Sequence, residues 1–109
     1  MKIYTFEEID EFACQIENKE TTETKEILML QDNSGTSVAH CLGRNSDKTK
    51  WKTFDKEILM LQNSDKTSVA HLLAYWHPTW ITDDIEVLSF YSRDWGETVE
   101  DTLVKKNKM

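Results

Sequence analysis

The chain has 109 residues, a net charge of −7 and 30% charged residues. That length fits one domain with a real core, and the patterned apolar residues exclude a disordered chain. No apolar run approaches membrane-spanning length, and acids crowd both ends, so neither a bilayer nor a bare phosphate backbone is an expected partner.

Met1 to Thr5 is too short for a secretory signal and is followed at once by acids. Cys14 and Cys41 then suit free thiols in a cytoplasmic setting. Thr5-Phe-Glu-Glu8 has the spacing of a capping box. Phe6, Ile9, Phe12, Ala13 and Ile16 follow on one helical face, which predicts an N-terminal capping helix within residues 1–20. Cys14 sits at the margin of that stripe and reads as a small packing residue. Glu17 to Thr24 carries no apolar residue and reads as a mobile connector.

Lys25 to His40, KEILMLQDNSGTSVAH, returns almost verbatim at Lys56 to His71, KEILMLQNSDKTSVAH. The copies differ only where DNSG becomes NSDK, which marks that segment as a turn between packed elements. A worn third copy runs from Trp80, with Trp95-Gly96-Glu97-Thr98-Val99 at the turn and second block. The predicted units are residues 22–50, 51–79 and 80–104, with a basic tail at 105–109. In the second unit Thr53 or Asp55 caps a helix carrying Ile58, Leu59 and Leu61. In the third, Thr82 or Asp83 caps one carrying Ile85, Val87, Leu88 and Phe90. KEILMLQ also suits a short buried strand by period alone, while its composition favours helix. The second block starts near Ser37 and Ser68 and ends near His77, because Pro78 restricts the residue before it. Exit loops are predicted at 43–50 and 75–79. The expected class is therefore all-α: a short solenoid of about three helix-pair repeats with an N-terminal capping helix.

Asp32-x-x-Gly35-x-Ser37-Val38-Ala39-His40 resembles the Asp-x-x-Gly-x-Thr-Pro-Leu-His-x-Ala motif of ankyrin repeats. Asn63 to His71 keeps most of that spacing, and the third copy keeps Gly96 and Thr98 but has Asp101 at the histidine position. The resemblance implies structural roles for Ser37, His40, Ser68 and His71. Each imidazole would bond near its own helix start and tie adjacent loops.

Tyr75-Trp-His-Pro-Thr-Trp80 is the least polar loop of the chain. Trp and Tyr are enriched at binding hot spots, so Tyr75, Trp76, His77, Trp80 and Trp95 are candidate partner contacts, with Asp83 and Asp84 as acidic neighbours. No ligand spacing for a metal links His40, Cys41, His71 and His77. Ser37 with His40 has cap spacing, without a nucleophile elbow or a glycine cluster. No metal, cofactor or enzymatic activity is expected. The function expected is protein–protein interaction by occupancy, with a basic-surfaced partner drawn to the acidic ends. Two alternatives stand beside it. One is a phage or mobile-element inhibitor of a nucleic-acid-binding defence enzyme, anti-CRISPR-like and a DNA mimic. The other is a self-associating module, a homo-oligomer of stacked repeats.

Overall fold

The computed structural model describes residues 4–107. Among them are eight helices, holding about half of the residues, and one two-stranded antiparallel sheet. Helix α1, Phe6–Glu17, opens on a reciprocal cap. The Glu8 N–H donates to Thr5 Oγ1 at 3.2 Å, and the Thr5 N–H donates to Glu8 Oε1 at 3.1 Å. The helix buries Ile9, Ala13 and Ile16. It ends with Lys19 in the left-handed region and the Glu20 N–H reaching back to the Gln15 carbonyl at 2.8 Å. Cys14 corrects its expectation: it is exposed rather than packed.

Each KEIL-type block forms a single turn: α2, Lys25–Leu28; α5, Lys56–Leu59; α7, Ile85–Leu88. The expected helices through Leu61 and Phe90 are therefore too long. After Leu28 and Leu59 the chain swings out to make the bridges Gln31↔Ser37 and Gln62↔Ser68. Side chains hold the intervening turns instead of helix continuing. Asp32 Oδ1 accepts from the N–H groups of Ser34 and Thr36, and Asn63 Oδ1 from those of Asp65 and Thr67. Asp55 caps α5, and Asp84 caps α7 by accepting from the N–H groups of Glu86 and Val87. Thr82, offered as the cap, supports Asp84 instead, its Oγ1 accepting from the Asp84 N–H at 3.2 Å. Asp83 stays exposed beside it.

The second blocks form α3, Val38–Arg44; α6, Val69–Trp76; and α8, Val99–Asn107. Helix α3 packs between α1 and α6, and α6 between α3 and α8. Gly43 allows the close approach of α3 to α6, since a Cβ there would lie 3.3 Å from Leu72 Cβ. The core joins Ile9, Leu28, Leu42, Leu59, Leu73 and Val99, one or more from every unit. Burying such a side chain contributes about 1.5–3 kcal/mol.

Three further expectations change. Residues 43–50 are not a loop: α3 runs to Arg44, and α4, Ser46–Thr49, adds a turn whose Ser46 Oγ donates to the Gly43 carbonyl. The third unit is not all-helical. Its strands β1, Tyr91–Ser92, and β2, Glu97–Thr98, extend to two pairs what is one bridge in each earlier copy. The basic tail is helical where it is seen: α8 includes Lys105 and Lys106, while Lys108 and Met109 lie outside the described residues. No helix among the described residues is long and apolar enough to cross a membrane.

Consecutive copies are joined by ties spaced about one repeat apart. Lys25 pairs with Asp55 and Glu57, and Lys56 pairs in the same way with Asp84 and Glu86. These pairs are solvated and set register more than stability. The Ser64 N–H donates to the Ser34 carbonyl at 2.7 Å, turn to turn.

Candidate functional site

Helix α6 starts where Ser68 Oγ accepts from the His71 N–H at 3.0 Å. It stops at Trp76, because His77 precedes Pro78 and is extended, with φ −73° and ψ 129°. That stop leaves Tyr75 and Trp76 in the last turn, exposed by 55% and 39%. Tyr75 stands nearly perpendicular to both neighbours, 4.8 Å from the Trp76 ring and 5.6 Å from the Trp95 ring.

Trp95 comes from the β1–β2 turn, which Gly96 closes at φ +67°. Its indole N–H donates to Thr67 Oγ1 at 3.2 Å, and its ring packs 5.3 Å from His71. Strand β2 and helix α8 complete the enclosure. Glu97 accepts from Lys105 Nζ at 2.6 Å and also from the Thr102 hydroxyl. Those two bonds hold its carboxyl below the usual carboxylate range. Lys106 Nζ donates to the His77 carbonyl at 2.6 Å, and burial lowers its pKa. The space between these walls is a cleft of about 450 Å³, a volume within the range of ligand sites.

The structure thus brings Tyr75, Trp76 and Trp95 together and separates the other proposed contacts from them. His77 and Trp80 are not surface residues. His77 is 2% exposed, its Nε2–H donating to the Lys50 carbonyl and its Nδ1 accepting from the Thr79 N–H. Trp80 is 1% exposed, its indole N–H donating to the Thr53 carbonyl at 3.0 Å. Asp84 is a helix cap, and neither it nor Asp83 lines the cleft. Glu97, Thr102, Lys105 and Lys106 line it and were missed from sequence. The signal for the lysines was available: their repeat-two counterparts are Tyr75 and Trp76, so both copies aim the same helical turn at the same place.

His40 and His71 are fully buried. In each, Nδ1 faces the hydroxyl of Ser37 or Ser68, at 2.7 and 2.6 Å. In each, Nε2 lies against a carbonyl of the next copy, Thr67 at 2.9 Å and Glu97 at 3.1 Å. A carbonyl only accepts, so Nε2 carries the proton in all three histidines. Both ring nitrogens are thereby committed, with none left for a substrate proton or a metal. Burial lowers all three imidazole pKa values. Cys41 is buried, its thiol pushed up to about 11. No group of three or more His, Cys, Asp or Glu side chains among the described residues converges on a metal position.

A second, smaller recess of about 140 Å³ lies on α1, between Glu8, Glu11, Phe12 and Gln15. Its acidic rim contrasts with the lysines of the aromatic cleft. No protein-family model, curated protein or solved structure matches the chain.

Proposed function

We propose that the chain is a short stack of about three ankyrin-like helix-pair repeats that binds another protein and acts by occupying it. The observation that carries this reading is the cleft walled by Tyr75, Trp76 and Trp95. Aromatic side chains offer large contact area at low entropic cost and dominate binding hot spots. The repeat reading is supported by the matched caps of α3 and α6 and by ties that recur 26 to 28 residues apart. The acidic face of α1, with Glu7, Asp10 and Glu11 exposed, would steer a basic-surfaced partner during approach. An enzymatic reading finds less support, because the histidines are engaged in structure.

The test is capture from native lysate by the tethered protein, followed by mass spectrometry, with Trp76→Ala compared against Phe54→Ala. Phe54 is 62% exposed and lies away from the cleft. The reading expects a partner that is lost with Trp76→Ala, kept with Phe54→Ala and weakened by salt. A partner held equally by both variants would overturn it.

A further inference from the structure

The aromatic cleft carries a charge opposite to that of the chain around it. The protein is at −7, yet the cleft holds two ammonium groups and one carboxylate. That carboxylate is already used, since Glu97 accepts from both Lys105 and Thr102. Lys106 makes no ion pair among the described residues; its bond is to the neutral His77 carbonyl, against apolar walls. A cation entering against the three rings would gain from their faces but meet Lys106, the charge that remains once Glu97 and Lys105 offset each other. An anion would gain a partly desolvated ammonium, where attraction is stronger than in water.

The geometry points to an anchor site for the C-terminal residue of a partner chain: an aromatic side chain in the cleft against Tyr75, Trp76 and Trp95, and its free carboxylate at Lys106. This rests on the reading of the cleft as a docking site and adds what the cleft selects. A chain end supplies a flat apolar body and an anion within one residue, and the volume of about 450 Å³ suits a group of that size. The two ends of the molecule then ask for opposite charges, a basic surface at α1 and an anion at the cleft.

The test uses the full-length 15N-labelled protein, whose four tryptophans each report through an indole N–H. N-acetylphenylalanine, its amide and phenethylamine present one ring with a negative, neutral and positive group. The acid is expected to shift the signals of Trp76 and Trp95, leave Trp51 unmoved, and bind about tenfold more tightly than the amide. Phenethylamine should bind least. Lys106→Met should bring the acid down to the level of the amide, and Lys106→Arg should keep the preference. A peptide ending in phenylalanine should match the acid, and the same peptide with phenylalanine internal should not. Equal binding of acid and amide overturns the charge selection while leaving the docking site in place. Tightest binding of phenethylamine overturns it likewise. Silence of both indoles toward every saturating probe removes the anchor site itself.

Discussion

The Nε2–H of His40 donates to the carbonyl oxygen of Thr67 at 2.9 Å, across 27 residues of chain. One side chain thereby completes its own helix cap, through Ser37, and fastens the next copy's turn. His71 repeats the arrangement toward Glu97. His40→Ala would orphan the buried Ser37 N–H, at about 1–3 kcal/mol, and take from the Thr67 carbonyl one of its two donors, leaving it the Asn63 N–H. Asp101 stands at the same position in the third copy, but it is exposed and bonds only within its own cap. Asp101→Ala removes only the bond from the Thr98 N–H, since Thr98 Oγ1 still accepts from the residue-101 N–H, and should cost about 0.5–1.5 kcal/mol. Urea titrations of the two variants check the order.

Acid should weaken the fold in the range where free histidine titrates. Burial lowers the pKa of His40, His71 and His77 below the ordinary value near 6.5. The unfolded chain then binds protons that the folded chain refuses, so stability is fully present above about pH 6.5 and falls below it. Glu97, with a depressed pKa, adds a further loss at lower pH. Denaturant midpoints between pH 8 and pH 5 should fall, and the fall should shrink in a His40→Ala/His71→Ala double variant. A midpoint that rises on acidification would contradict the burial of neutral imidazoles.

The turns demand a left-handed residue at one position in every copy: Gly35 at φ +79°, Lys66 at φ +63° and Gly96 at φ +67°. A side chain there costs about 1–2 kcal/mol, part of which glycine returns through its freer unfolded state. Lys66→Gly should therefore stabilise by about 0.5–1 kcal/mol. Gly35→Ala should destabilise by more than the left-handed cost alone, because its Cβ would meet Asn63 Cα at 3.0 Å. Opposite shifts in thermal midpoint check the pair.

Leu59 is 1% exposed in the joint core, and Lys48 is exposed on α4. Leu59→Ala should cost about 2–5 kcal/mol and Lys48→Ala close to nothing. Equal small effects would mean that the α5 turn is not packed as described. The thiols give an independent check. Partial desolvation, and after it the acids around Cys14, raise its pKa, and burial raises that of Cys41 further. A thiol reagent should label Cys14 slowly and Cys41 only on unfolding.

The repeats were legible because KEIL and TSVAH recur at one spacing, and the caps at Thr5, Ser37 and Ser68 follow from oxygen placement alone. The length of the first-block helices was not. Four apolar residues in a row look like a longer helix, but the Asp32 and Asn63 turns compete for the backbone and win after one turn. At the site, Tyr75 and Trp76 could be read from their place before Pro78. His77 and Trp80 misled, because an aromatic beside a proline is equally suited to filling a gap between copies. The lysines of α8 looked like a tail since their partners, Glu97 and the His77 carbonyl, come from other elements.

The claim on which the rest hangs is that neutral imidazoles join each copy to the next. Long-range 1H–15N spectra of the histidine rings at neutral pH measure this directly. His40, His71 and His77 should show the Nε2–H form with slow exchange of those protons, and the first two should show couplings to the carbonyls of Thr67 and Glu97. Nδ1–H forms, or rings that titrate freely near pH 6.5 as in unfolded peptides, would contradict it.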